Sequence, residues 1–142
     1  MLERFSRYRL LADYLEKKEQ ELTEHNRKCG LSDEECTSIN ARRQTNIGVF
    51  RAYVIAYLKD NPNLRQDMTF LVRQLPPTEH GLPLEIYVFS KDQRWSYYES
   101  IQADIFDHLL AALPEFGLRA FQIPSGHDLR LLTQAVTAGP GA

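Results

Sequence analysis

The chain has few of the residues from which small proteins build disulfide frameworks, metal sites or nucleic-acid surfaces. Its 142 residues include two cysteines, Cys29 and Cys36, which lie in a polar region without the paired cysteine and histidine spacing of a zinc site. A formal charge of -2 gives no basic surface for nucleic acid. We therefore expect a protein of the reducing cytosol without a disulfide, a metal, a cofactor or a nucleic-acid partner.

Long hydrophobic runs are also missing. No apolar stretch approaches the ~20 residues that cross a bilayer, and the first ten residues, MLERFSRYRL, lack the apolar core of a signal peptide. The apolar fraction of 43% and the charged fraction of 25% are those of an ordinary globular protein. The length suits about one domain, since single domains typically span ~100–150 residues. The composition thus predicts one soluble domain.

No catalytic motif is recognisable. No histidine has a nucleophile beside it in sequence, and Ser125-Gly126 lacks the G-x-S-x-G context of a nucleophile elbow. The chain has no glycine-rich phosphate loop. Trp95, Tyr97 and Tyr98 could stack on a ligand, but aromatic residues near the start of a core helix more often pack in a core or an interface. We expect that the protein is not an enzyme.

Three polar residues on the second long helix deserve separate mention. Asp104, Asp107 and His108 lie three and four residues apart, so they share one helical face, and this spacing can bind a divalent metal. No further ligand lies nearby, whereas structural zinc requires four. The prediction is a solvated polar face opposite the apolar stripe of that helix, and no metal site.

Residues 1–43 are polar and have the pattern of a helix. An apolar stripe at three- and four-residue spacing consists of Tyr8, Leu11, Leu15 and Leu22. Gly30 is a plausible end, and Ser32 with Glu35 forms a capping box that would open a second, shorter helix towards residue 41. The pattern predicts a helical hairpin or arm, which either packs on its own domain or forms a coiled contact with another subunit.

Residues 44–126 have the pattern of an α+β domain that begins with a helix and a hairpin. A helix over 45–60 starts at Thr45 or Asn46 and ends before Pro62. Strands 68–75 and 82–89 follow, joined by the loop PPTEHG, and we expect them to pair antiparallel. Alternation places an aliphatic set on one face of the second strand, namely Leu84, Ile86 and Val88. It places the other set on the opposite face, namely Glu85, Tyr87 and Phe89.

A second helix and a third strand complete the domain. The helix spans 92–113 and opens with a capping box of Ser90 and Gln93. Its apolar stripe consists of Tyr98, Ile101, Ile105, Leu109 and Leu113. Pro114 and Gly117 end it, and LRAFQI at 118–123 predicts a short strand. We expect both helices to cover the aliphatic face of the sheet. Residues 127–142 are predicted to form a flexible tail.

The order of elements predicts an α+β fold, specifically a ferredoxin-like α-β-β-α-β unit preceded by the helical arm. A complete unit of this kind has the order β-α-β-β-α-β, so its first strand is missing. Residues 1–43 do not offer that strand. We infer that the strand was cut off or is contributed otherwise, which leaves an open sheet edge, and such edges recruit other strands.

Several long motifs lie between residues 40 and 126. They are NARR at 40–43, TN at 45–46, FRAY at 50–53, LVRQL at 71–75, GLPLEIY at 81–87 and the run at 98–119 that contains DIFDHLLA and LPEFGLR. Together they resemble the cytoplasmic C-terminal domain of bacterial small-conductance mechanosensitive channels, in particular the miniconductance type. The residues after Gly126 match no motif of that family.

The resemblance implies a function that belongs to an assembly. Channels of this family are homo-oligomers, with seven subunits in the best-known members, and their C-terminal domains form a hollow cytoplasmic cage. The pore opens when tension in the bacterial inner membrane rises during hypoosmotic shock, and solutes are released. The membrane helices of such a channel have no counterpart in this chain. By resemblance, the chain is a soluble cytoplasmic cage domain whose partners are identical subunits.

A cage of identical subunits needs a contact surface, and aromatic residues are its candidates. Tyr87 and Phe89 point away from the aliphatic face, and Phe70 and Phe121 could add to the same or an adjacent surface. These four residues are the predicted subunit interface. The alternative function is a ferredoxin-like regulatory module that binds a small molecule, because this fold hosts many unrelated activities.

Overall fold

The computed structural model describes residues 8–31 and 41–137. Within these ranges the fold is α+β, as predicted, with helices packed on short antiparallel strand pairs. The second short helix predicted after Ser32 lies outside the described residues, and so does Cys36. Cys29 is a free, exposed thiol.

The polar N-terminal region forms one helix that is anchored at both ends. A 3-10 turn, Arg9–Leu11, leads into α1, Ala12–Lys28. Leu11 and Leu15 are buried in the core, so the first turns pack on the chain's own domain. At the other end the buried Asn26 accepts a hydrogen bond from the Arg42 N–H at 3.0 Å and donates one to the Arg42 carbonyl at 3.4 Å.

The first helix of the α+β domain agrees closely with its prediction. Helix α2 spans Asn46–Asp60, and the Thr45 hydroxyl accepts a hydrogen bond from the Gly48 N–H at 3.2 Å, which satisfies one free donor of the first turn. One side of α2 is buried along its whole length, at Val49, Phe50, Val54 and Leu58. This helix is the centre of the hydrophobic core.

The predicted hairpin forms as two short paired stretches. Strand β1, Leu64–Arg65, pairs with β4, Phe89–Ser90, and β2, Leu71–Gln74, pairs with β3, Leu84–Tyr87, both antiparallel. Residues 66–70 bulge out of the first strand opposite the single residue Val88. The antiparallel pairing is confirmed, although the paired stretches are shorter than 68–75 and 82–89.

The two faces of the hairpin alternate as the sequence predicted. Leu84, Ile86 and Val88 are half-buried against the core. On the opposite face the Arg73 guanidinium donates a hydrogen bond to the directly opposed Glu85 carboxylate at 2.6 Å, and Tyr87 is exposed. The hairpin therefore has one apolar face towards the helices and one face towards solvent.

The second helix of the domain begins later than predicted. Helix α3 spans Trp95–Ala112 and continues as a 3-10 turn, Leu113–Phe116, which ends at Gly117 with a φ of 67°. The predicted capping box does not form, because the Ser90 hydroxyl accepts from the Asp92 N–H and donates to the Asp92 carbonyl instead. Ile105 and Leu109 are buried, as the predicted apolar stripe required.

The segment after Gly117 differs from its prediction in two respects. Residues 118–123 form no strand, because no described strand runs beside them to complete a ladder. The predicted flexible tail contains helix α4, Gly126–Thr137. Its start is capped by Ser125, whose hydroxyl accepts a hydrogen bond from the Asp128 N–H at 3.3 Å, while the Ser125 N–H donates to the Asp128 carboxylate at 2.7 Å.

Candidate interaction surface

Helix α3 has two sides of opposite character, and the side facing α2 is closed by aromatic contacts. The His108 ring stacks on Tyr57 with centroids 4.0 Å apart and planes 9° apart, and its Nε2 lies 2.7 Å from the Tyr53 hydroxyl. Phe116 packs edge-on against Phe50 at 5.3 Å. These contacts fix the α2 and α3 axes relative to each other.

His108 corrects one sequence prediction. The helical spacing predicts a solvated face that holds the imidazole together with Asp104 and Asp107, and the two carboxylates are indeed exposed. The imidazole is half-buried between two tyrosines of α2 because its ring and its nitrogen find partners there. Within the described ranges, no three histidine, cysteine, aspartate or glutamate side chains converge to hold a metal ion.

Both tyrosines of this cluster are harder to ionise than a free tyrosine. Burial raises the pKa of Tyr53, and the neighbouring hydroxyls of Tyr57 and Tyr8 raise it further. Burial also raises the pKa of Tyr57, with a smaller contribution from the negative charge of Asp104. The closed side of α3 is therefore favourable for neutral phenols and unfavourable for phenolates.

The side of α3 facing the strands is open. A groove of about 270 Å³ runs between the apolar face of the hairpin and the first three turns of α3. Its walls are the side chains of Leu64, Leu84, Ile86, Val88, Ser90, Tyr98, Ile101, Gln102, Ile105 and Phe106. Ser90 and Gln102 are the polar members of this set. The groove is thus a largely apolar surface that the described residues leave accessible.

The outer rim of the groove continues along α3 as an exposed apolar row. Trp95, Tyr98, Phe106 and Leu110 recur at three- and four-residue multiples on the helix, and all four are exposed. Trp95 is 77% exposed and Phe106 is 54% exposed. We call this row the α3 outer stripe. It extends the groove into an apolar surface larger than scattered single residues would form.

The β3 strand adds to the same site backbone groups that no strand within residues 8–31 and 41–137 pairs with. The Leu75 N–H donates to the Pro83 carbonyl at 3.0 Å, which makes 75 and 83 a hydrogen-bonded pair of the ladder. Because such pairs alternate in an antiparallel ladder, Glu85 and Tyr87 bond to β2, whereas the N–H and C=O groups of Leu84 and Ile86 point to the outer edge. The groove therefore lies beside an open strand edge.

The four predicted interface residues divide into separate locations. The rings of Tyr87 and Phe89 meet edge-on at 5.3 Å on the solvent face of the hairpin, and Tyr87 is 50% exposed. Phe70 packs against the core instead. Phe121 is exposed and meets His80 of the hairpin loop at 4.7 Å. The structure therefore brings together two of the four.

The groove was not predicted, although part of its signal is in the sequence. The predicted stripe of α3 was one row wide and included Tyr98, which instead lies exposed on the rim. Phe106 and Leu110 lie beside that row and are exposed. The apolar surface of α3 is therefore wider than the part that packs against the core. A helix that is apolar over this width has more than one contact surface.

The start of α3 carries a local charge pair next to the outer stripe. The Arg94 guanidinium donates to the Asp92 carboxylate at 2.6 Å and lies 3.9 Å from the centroid of the Tyr97 ring. The hydrogen bond from the Arg94 side chain lowers the pKa of Asp92 to about 2. The side chain of the N-cap residue, Arg94, makes no capping hydrogen bond to the first turn of α3. The contact between Arg94 and Asp92 in the preceding turn therefore fixes this end of the helix.

Two further findings bear on identity. Among the described residues, no helix is both long enough and apolar enough to traverse a lipid bilayer. The chain matches no protein-family model and no solved structure.

Proposed function

We propose that the chain is a cytoplasmic cage domain of a tension-gated mechanosensitive channel of the small-conductance family, miniconductance type. The observation that carries the proposal is that the family-like motifs coincide with the elements of the fold. The TN motif is the start of α2, and LVRQL and GLPLEIY contain β2 and β3. The run at 98–119 covers most of α3 and the turn to Gly117.

In this role the domain associates with identical subunits and conducts nothing itself. The full-length protein would lie in the bacterial inner membrane with this domain on the cytoplasmic side, and seven subunits would surround the cage as in the best-known channels of the family. The exposed Tyr87, whose ring meets the half-buried Phe89, supports a subunit contact, because exposed aromatic residues are enriched at protein interfaces.

The test uses the full-length protein that carries this domain, expressed in bacterial cells deprived of their own mechanosensitive channels. The proposal predicts survival of hypoosmotic shock and currents that appear under suction on a membrane patch. The matched variant is Phe116→Ala, which removes a fully buried core residue of the domain. Abundant membrane-inserted protein that gives no tension-dependent current would contradict the proposal.

The subunit contact has its own experiment. Tyr87→Cys and Phe89→Cys, each on a background with Cys29→Ser and Cys36→Ser, should give crosslinks between subunits of the full-length protein. Glu99→Cys, on an exposed position of α3, is the control for random collision. If the two test cysteines react freely with a bulky thiol reagent and never crosslink, this face lies towards solvent or the cage lumen.

A small-molecule-binding regulatory module is the second candidate, and the groove is the observation that favours it. Its volume of about 270 Å³ is slightly below the ~300–1,000 Å³ typical of ligand pockets, and its side-chain polar groups are few. Light scattering combined with a thermal-shift screen separates the two functions. A monomer stabilised by a small ligand would favour the module, and ligand-free oligomers would favour the cage.

A further inference from the structure

Two irregularities of the fold concern the same side of β3. The outer edge of β3 presents the backbone groups of Leu84 and Ile86, and no strand in the described part of the chain pairs with it. Residues 118–123, which have a strand-like sequence, run without a ladder, and their Phe121 and Ile123 side chains are exposed. Each irregularity is an unpaired strand position, and exposed edges of this kind recruit further strands.

The chain connection between β3 and residues 118–123 relates the two irregularities to each other. The chain passes from the strand at 84–90 through α3 to 118–123. This order matches a strand-helix-strand crossover, which joins two parallel positions of one sheet, with 118–123 in the place of the second strand. In the split arrangement of a β-α-β-β-α-β unit, one further strand separates the two ends of such a crossover. The contact of Phe121 with His80 brings 118–123 to the loop end of the hairpin. In that arrangement one strand position lies between β3 and 118–123, and no described strand occupies it.

The groove has the chemistry that a strand in this position requires. The side chains of Leu84, Ile86 and Val88 form its floor, and Ile101, Ile105 and Phe106 of α3 form its roof. A strand hydrogen-bonded to the edge of β3 would direct every second side chain into this apolar space. The opposite side chains would lie next to Glu85 and Tyr87 on the solvent face, where polar residues are tolerated.

We propose that the edge of β3 binds one extended peptide segment, antiparallel to β3 and apolar at every second residue. The segment takes the position between β3 and 118–123 and fills the groove under α3. Backbone hydrogen bonds to Leu84 and Ile86 supply the attachment, and the apolar side chains supply specificity, as in other complexes that add a strand to a sheet edge. This inference does not depend on the channel function.

Two other occupants are less well matched to the site. A small molecule would cover the apolar walls but would leave the row of backbone donors and acceptors unpaired. The β3 edge of a second copy would pair those groups but would bring two copies of α3, each with an exposed outer stripe, to the same side of one sheet. A single peptide strand satisfies both the backbone edge and the groove.

The test measures amide hydrogen exchange by NMR in the ¹⁵N-labelled chain while a synthetic peptide is added. The probe is acetyl-KVTVTVK-amide, and the control is acetyl-KVTPTVK-amide, whose central proline lacks the N–H that a strand pair needs. We expect the probe to slow exchange at Leu84 and Ile86 and to shift the resonances of Ile105. The control should bind at least about tenfold more weakly, a difference of about 1.4 kcal/mol.

Two variants locate the bound peptide. Ile86→Lys places a charge in the groove and should weaken binding by more than about tenfold, whereas Tyr87→Lys on the solvent face should leave it nearly unchanged. The proposal is overturned if the two peptides bind equally, or if protection appears at Leu84 and Ile86 without peptide and rises with protein concentration. The second result would assign the edge to a second copy. The peptide comparison requires only the unaltered chain, so it holds even if Ile86→Lys fails to fold.

Discussion

Helix α3 faces α2 on one side and the hairpin on the other, and only the contact with α2 is closed. Towards α2 its side chains interlock with Tyr53, Tyr57 and Phe50, directly or through Phe116. Towards the strands its side chains are equally apolar, yet a groove of about 270 Å³ remains between them and β3. Apolar character alone therefore does not close a core, because closure also requires enough elements to fill the space.

The closed contact should carry most of the stability, so a substitution there should cost the most. Phe116 is 1% exposed, so Phe116→Ala should lower the free energy of unfolding by about 3–5 kcal/mol through lost burial and a new cavity. Phe106→Ala makes the same change on the open side, where the ring is mostly exposed, and should cost less than about 1 kcal/mol. Urea denaturation measures both. Equal losses would show that the groove is as tightly packed as the α2 contact.

Ile105 lies where the two regions meet, because it belongs to the core and also lines the groove. Its side chain is 8% exposed, so Ile105→Ala should cost about 2–4 kcal/mol. The neighbouring Asp104 is exposed, and Asp104→Ala should change the free energy of unfolding by at most about 0.5 kcal/mol. The same denaturation experiment compares them, and a similar loss for both would refute the assignment of helical faces.

The His108 contact should contribute a smaller part of the closed side. His108→Ala removes the hydrogen bond with Tyr53 and the stacking on Tyr57, so we expect a loss of about 1–3 kcal/mol. Asp107→Ala, at an exposed position one residue earlier, should be nearly neutral. Combining His108→Ala with Tyr53→Phe tests the coupling directly. Strictly additive losses would mean that the 2.7 Å contact contributes nothing of its own.

The smallest expected effect is a loss of stability in alkaline solution. The pKa values of Tyr53 and Tyr57 are raised in the folded state, so the unfolded chain loses these protons first as the pH rises above 10. The free energy of unfolding should therefore decrease from about pH 10 up to the folded pKa values. Tyr57→Phe should reduce that slope, whereas Tyr87→Phe on the open face of the hairpin should not. Denaturation midpoints across this range provide the measurement, and an unchanged slope in Tyr57→Phe would contradict the cause assigned.

The parts of the fold that the sequence predicted are those specified by local chemistry. Thr45 caps α2 through its own hydroxyl, and the alternation along Leu84, Ile86 and Val88 sets the buried face of the hairpin. The start of α4 was missed, although the bond between Ser125 and Asp128 is a local capping signal of the same kind. Local rules therefore explain the starts of α2 and α4, but not that of α3, where the predicted capping box does not form.

The parts that could not be predicted depend on distant partners. His108 was placed in solvent because Tyr53, its partner, lies 55 residues away in sequence. Residues 118–123 were predicted as a strand from composition, but a strand exists only where another strand supplies hydrogen bonds. The candidate site combines both cases: the aliphatic face of β3 was predicted, and the groove above it depends on how far α3 stands from that face.

The measurement that tests the open edge most directly is amide hydrogen exchange along β3 in the dilute chain without any added peptide. We predict alternation, with slow exchange at Glu85 and Tyr87, whose N–H groups bond to β2, and fast exchange at Leu84 and Ile86, whose N–H groups point outward. Slow exchange at all four positions, independent of protein concentration, would show that the edge is already paired within the chain and is not open.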